Sequence, residues 1–102
     1  MPLDSTGYVT TTLCPAAALL MRAADIVERG WCQGHLVDDH GNVCALQALY
    51  HARGKVTQAF VALSNAVGGN IPEWNNAPSQ TAANVAATMR AVAMRLAMER
   101  VA

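Results

Sequence analysis

Charge is scarce in this 102-residue chain, in which 14% of the residues are Asp, Glu, Lys or Arg, against about 25% in ordinary soluble proteins. Seven acids balance seven bases, with a single lysine among them. That balance excludes a polybasic nucleic-acid coat and an acidic solvating tail as the main business of the chain. Aromatics are equally sparse at 5%, so little of the core is built from large rings. Three cysteines are an odd number and cannot all pair within one chain, which reads as reduced thiols in a cytoplasm. Long apolar runs are missing too. Arg90, Arg95 and Arg100 interrupt the longest candidate, and a membrane helix needs roughly 18 uncharged apolar residues. The apolar run from Leu13 to Met21 has no basic segment before it, contains Pro15 and leads directly into Arg22 and Asp25, so it does not read as a signal segment.

What is abundant is alanine, at twenty residues, within a total of 53% hydrophobic residues. Disorder along most of the length is thereby excluded. A chain of this size buries about two-thirds of the surface it exposes when unfolded, enough for one core.

The pattern predicts an all-α, compact four-helix domain over residues 14–102, preceded by a flexible arm at 1–13. Pro15 suits the first turn of helix one, in which Leu19, Ala23, Ile26 and Val27 share a face and Asp25 and Arg29 are spaced to pair. Gly30 ends it. A short hairpin or ordered loop follows at 31–43, where Asp38-Asp39-His40-Gly41-Asn42 is dense in turn formers. Helix two is expected from about Cys44 to Arg53, and helix three from about Val56 to Val67 on the stripe Val56, Ala59, Phe60, Leu63, Val67. Residues 70–80, with two prolines and three asparagines, are expected to form a loop without helix. Thr81 is placed to cap the last helix, about Ala82 to Val101.

Gly30-Trp31-Cys32-Gln33-Gly34, then Cys44-Ala45-Leu46-Gln47-Ala48-Leu49-Tyr50, then Trp74-Asn75-Asn76-Ala77-Pro78-Ser79-Gln80-Thr81 with Val85 after it, occur in that order and spacing. Over roughly residues 15 to 95 the chain resembles a family of small domains of unknown function found in actinobacteria, other bacteria and their phages. The Trp-Asn-x-Ala-Pro-x-x-Thr loop carries most of this resemblance. In that pattern the second Asn is usually Asp and Gln80 is usually Arg, so no acid–guanidinium pair is expected across the loop here. The resemblance implies a fold unit and a phage or bacterial origin, and no activity.

Three kinds of chemistry have residues in this chain that could serve them, each with a plainer reading. Cys32, His35, His40 and Cys44 have a spacing that a hairpin could gather into a tetrahedral zinc site. The plainer reading makes the cysteines small core hydrophobes and the histidines solvated turn residues, and no metal or other cofactor is expected. Segment 45–67 has the layout of a helix-turn-helix, with Thr57, Gln58, Val61, Ser64 and Asn65 outward. Tyr50 stands where that motif needs a small residue, and only Arg53 and Lys55 lie near to meet phosphates. A DNA-binding regulator is therefore the alternative and not the leading reading. Catalysis is not expected. Asp38, Asp39 and His40 are adjacent on a turn, which disperses side chains, and Glu73 is a lone acid. Trp31, Trp74, Asn75 and Asn76 form a loop surface that is either a binding site or a structural seal. The seal is favoured, with the asparagines as turn formers and caps.

The last helix carries the strongest functional signal. At 100° per residue Val85, Met89, Val92 and Leu96 form the core stripe, and Ala83, Ala87, Ala91, Met94, Met98 and Val101 lie nearly opposite. A helix apolar on two faces has more than its own domain to pack against. The expected function is non-catalytic protein–protein interaction by a cytoplasmic homodimer joined through residues 83–101, with a host or phage protein as further partner and neither nucleic acid nor membrane.

Overall fold

The computed structural model describes residues 14–101, so the expected arm at 1–13 lies outside the described residues. Five helices run in order: α1 (Pro15–Arg29), α2 (Ala45–His51), α3 (Val56–Ala66), α4 (Ile71–Asn75) and α5 (Ala82–Val101). Four of them correspond to the predicted helices. The fifth, α4, overturns the expectation of a helix-free loop at 70–80. Pro72 falls in its first turn, where the N–H that proline lacks has no intrahelical partner to lose. Asn70 caps the turn, its side chain accepting from the Glu73 N–H at 2.9 Å. Proline and asparagine thus start a helix here and do not forbid one.

Residues 31–43 form an ordered loop and not a regular hairpin. Trp31 and Val37 each make a single bridge to Val43. Asp38 organises the turn by accepting from the backbone N–H groups of His40 and Asn42, and from the Asn42 side-chain amide, all at 2.9–3.0 Å. These bonds, that of the Asn42 amide first, hold the Asp38 carboxyl below the usual carboxylate range. A Cβ on Gly30 would collide with the Asn42 amide, which Asp38 holds in place, so any larger residue there would have to displace that side chain.

The core is centred on the packing of α1 against α5, the largest contact in the molecule. Leu19, Leu20, Ala23, Ala24 and Val27 of α1 and Val85, Ala86, Met89 and Ala93 of α5 are buried. Leu49 and Leu63 bring α2 and α3 onto the same cluster. Small side chains on both central helices allow their backbones to approach closely, so alanine supplies contact through proximity more than through bulk. Arg22 on α1 ties in the α2–α3 turn, its Nε donating to the Ala52 carbonyl at 3.0 Å and its Nη2 to the Arg53 carbonyl at 2.7 Å. A cation thus caps the carbonyl end of α2. Arg53 holds φ 58° and Gly54 φ 141° at this turn, and a Cβ on Gly54 would press on Leu19 and Arg22.

The sequence pairs Asp25 with Arg29, whereas the structure gives Asp25 to Arg90 of α5 at 2.8 Å, with Glu28 completing the set at 2.7 Å. The guanidinium plane of Arg90 reaches both acids across the helix pair, which a single i, i+4 contact along α1 cannot match. Glu28 is held below the ordinary carboxylate range, chiefly by the Arg90 hydrogen bonds. A depressed folded-state pKa contributes stability above the unfolded value and loses it as pH falls through the folded value.

Two outcomes follow. Ala93→Leu overpacks the α1–α5 contact and costs roughly 1–3 kcal/mol in urea unfolding, whereas Ala87→Leu, at an exposed position of the same helix, stays within about 0.5 kcal/mol in dilute solution. In Arg90→Met, the Glu28 titration followed by carboxyl NMR moves up to the ordinary glutamate range; the variant is less stable than wild type near neutral pH, and the difference shrinks as pH falls through the wild-type Glu28 titration.

Candidate functional site

The two ordered loops meet at one side chain. Asn75, the last residue of α4, is fully buried and is the only polar residue among the buried described ones. Its Oδ1 accepts from the Trp31 indole N–H at 2.7 Å and from the Ala45 backbone N–H at 2.9 Å. Its Nδ2 donates to the Cys32 carbonyl at 3.1 Å and to Asn76 Oδ1 at 3.0 Å. All four directions of the amide are used, which is the condition for burying it without penalty. The Ala45 N–H belongs to the first turn of α2 and has no intrahelical acceptor. Asn75 therefore caps α2, anchors the Trp31 ring and fixes the start of the 31–43 loop at once.

Bonds around it extend the junction. Gln33 Nε2 donates to the carbonyls of Asn75 at 3.1 Å and Ala77 at 2.9 Å, and the Gly34 N–H donates to Asn76 Oδ1 at 2.9 Å. Gln80 Nε2 donates to the Trp74 carbonyl at 3.0 Å, while its Oε1 accepts from the Thr81 N–H at 3.3 Å, linking the loop to the start of α5. Thr81 caps α5 as expected, its hydroxyl accepting from the Asn84 N–H at 3.0 Å.

Of the four residues read as a loop surface, Asn75 is withdrawn from it by complete burial, and Trp31 and Trp74 pack half-buried against the core. Asn76 remains exposed. Asn75 is a cap, within the expectation of turn formers and caps, but the groups it holds lie 30 and 44 residues away. Gln33 belongs to the Gly30–Gly34 segment of the resemblance, but the sequence gives it no role of its own. A long amide next to a tryptophan-cysteine pair and before a glycine was the available signal.

A cleft of about 190 Å³ opens beside this junction, lined by Gly34, His35, Leu36, Cys44, Pro72, Asn75 and Asn76. The candidate zinc ligands do not converge in it. Among the described residues no three His, Cys, Asp or Glu side chains are placed to share a metal ion. The Cys32 thiol is directed at the carbonyls of Asn42, at 3.3 Å, and His35, at 3.4 Å. Burial, reinforced by the charge of Asp38, pushes Cys32 above its usual value, against the thiolate that metal binding or nucleophilic attack requires. The Cys44 sulfur accepts from the Gln47 N–H at 3.4 Å as the cap of α2. His35 and His40 are exposed, as are Asp39 and Glu73.

In the segment 45–67, Tyr50 is 54% exposed and does not obstruct the approach of α2 to α3. Arg53 and Lys55 are exposed at the turn, but Arg22 spends its guanidinium on backbone carbonyls. The outward face of α3 borders α5 in a groove of about 290 Å³, where Gln58, Val61 and Asn65 face Arg95, Leu96 and Glu99. Positive charge is thus not concentrated there as a phosphate-binding surface needs.

On α5, the predicted core stripe is buried at Val85, Met89 and Val92 and partly buried at Leu96, with Ala86, Ala93 and Ala97 widening it. The opposite stripe is exposed at Ala83, Ala87, Ala91, Met94 and Met98. Met94 is 55% and Met98 67% exposed. The side chain of Val101 lies outside the described residues. No helix among the described residues is long and apolar enough to cross a membrane.

Comparison with known proteins matches residues 11–95 to the family of unknown function DUF6197, and the chain belongs to that family. No curated protein and no solved structure matches.

Asn75→Ala removes the acceptor of the buried Ala45 N–H and of the part-buried Trp31 indole N–H, and the donor to the Cys32 carbonyl. It is expected to cost about 3 kcal/mol in urea unfolding, at roughly 1–3 kcal/mol per orphaned group. Asn76→Ala, exposed at the edge of the same network, costs about 1 kcal/mol.

Proposed function

We propose that this member of DUF6197 is a non-catalytic accessory protein of phage or bacterial type, acting through protein–protein contact and self-associating through the outer face of α5. The observation that carries the reading is the exposure of Met94 and Met98 in line with three exposed alanines, on a helix whose other side already fills the core. Apolar surface of this kind is favourable to bury, and methionine adapts readily to an opposing surface. The groups that catalysis would recruit are otherwise engaged: Asp38 holds a turn, Cys32 is kept as a thiol, and the Asn75 junction is fully satisfied internally. Phage or bacterial origin rests on the sequence resemblance. Three buried free thiols suit a reducing compartment such as the cytoplasm. A host or phage protein is the further partner of such a module.

The double variant Met94→Glu, Met98→Glu places like charges on the proposed contact without touching the core. Sedimentation velocity across a concentration series is expected to show a dimerising wild type and a folded monomeric variant. An assembly state unchanged by both glutamates would sink this reading.

A further inference from the structure

We propose that Cys32 and Cys44 are a peroxide-oxidisable pair that closes into a reversible disulfide. Register places them together. The Val43 N–H donates to the Gly30 carbonyl at 2.9 Å and the Cys32 N–H to the Val43 carbonyl at 3.0 Å, which sets Trp31 beside Val43 in a parallel bridge. One residue further on, Cys32 and Cys44 are neighbours across that bridge, where in-register residues point to the same face. Extended segments bridged in this way lie about 4.8 Å apart, inside the roughly 4.4–6.8 Å Cα separation that a disulfide spans. Both thiols are buried, and His35 is common to them. Its carbonyl accepts from the Cys32 thiol at 3.4 Å, and it lines the same cleft as Cys44. Cys14, at the N-cap of α1, shares no bridge with either among the described residues.

The two sulfurs are held differently, and that divides the chemistry between them. Cys32 is a donor, its S–H directed at the carbonyls of His35 and Asn42, and burial strengthens its hold on the proton. The Cys44 sulfur is an acceptor, taking the Gln47 N–H at 3.4 Å, and it borders the cleft of about 190 Å³. A water takes about 30 Å³, so hydrogen peroxide fits this cleft, whereas a peptide-sized disulfide is too bulky for a residue only 5% exposed.

In the first step the Cys44 sulfur attacks one peroxide oxygen. The S–O bond forms, the O–O bond breaks, and the departing hydroxide takes the thiol proton to leave as water. In the second step the Cys32 sulfur attacks the Cys44 sulfenic acid. The S–S bond forms, the S–O bond breaks, and hydroxide leaves with the Cys32 proton as a second water. Two thiols give up two electrons and one peroxide accepts them. The firmer proton of Cys32 slows its attack on free peroxide, and in the second step proximity offsets that disadvantage. Asn75 already ties the same places together, since the Cys32 carbonyl and the Ala45 N–H, next to Cys44, are both its partners. In a reducing compartment the pair stays open; peroxide closes it and a thiol reductant reopens it.

The test treats full-length reduced protein with hydrogen peroxide at a dose that converts the exposed Met98 to its sulfoxide. Remaining thiols are alkylated in denaturant and the peptides are mapped by mass. The expected product is a monomer with one link, Cys32 to Cys44, and an alkylated Cys14, with all three thiols recovered on adding dithiothreitol. Pairings through Cys14 are expected at least about tenfold below it, because only the register brings two thiols together. The same treatment in urea is expected to abolish that preference. The chain from Cys14 to Cys32 is little longer than that from Cys32 to Cys44, and loop closure depends weakly on length. In Cys32→Ser, oxidation is expected to stop at a Cys44 sulfenic acid that dimedone labels. Three intact thiols after Met98 has been oxidised would overturn the pair. So would links through Cys14 at comparable yield, or Cys44 carried to the sulfinic acid with Cys32 still free.

Discussion

A single buried amide holds the architecture together. Asn75 is the point at which the 31–43 loop, the start of α2 and the short α4 are fastened to one another. Carboxamides are costly to bury unless every direction is used, and this one offers two acceptors and two donors to four partners from different parts of the chain. Because its Oδ1 serves an indole and the first N–H of a helix together, the tryptophan orientation and the entry to α2 are set by the same atom. Neighbouring bonds from Gln33 and Gln80 are of the same amide-to-carbonyl type. The loop end of the molecule is thus stiffened by neutral polar groups, in a chain that has few charges to spend.

The helical end follows a different economy. Alanines on α1 and α5 bring those helices close, with the large buried volume coming from leucines and Met89. Charge appears where the helix pair meets water: Arg90 bridges Asp25 and Glu28, and Arg22 reaches over to close α2. Alanine serves α5 twice. At Ala86 and Ala93 it permits close packing inside, and at Ala83, Ala87 and Ala91 it leaves a shallow outer surface in line with two exposed methionines. The low charge content of the chain is partly a consequence of that second surface being kept free of charged residues.

Much of this organisation was legible in order. Apolar periodicity placed four helices, Gly30 and Thr81 marked two of their ends, and the two stripes of α5 were separable by angle alone. Two local inferences failed for identifiable reasons. Pro72 has the local look of a breaker, but a helix begins with N–H groups that have no partners, and proline loses nothing there. Spacing along one helix pairs Asp25 with Arg29, yet Arg90 on another helix offers a planar fork to two acids at once. The spacing of Cys32, His35, His40 and Cys44 suggested a ligand set, and the thiols instead serve backbone groups of their own loops.

Local order carries four of the five helices and the apolar faces, because both follow from residues within a few positions of one another. The burial of Asn75 and the hold of Arg90 on two acids arise instead from contacts between segments distant in the chain. The fate of a polar side chain depends on the desolvation it suffers and the partners that reach it. For Asn75 those partners come from as far as 44 residues away, a distance at which local pattern carries no information.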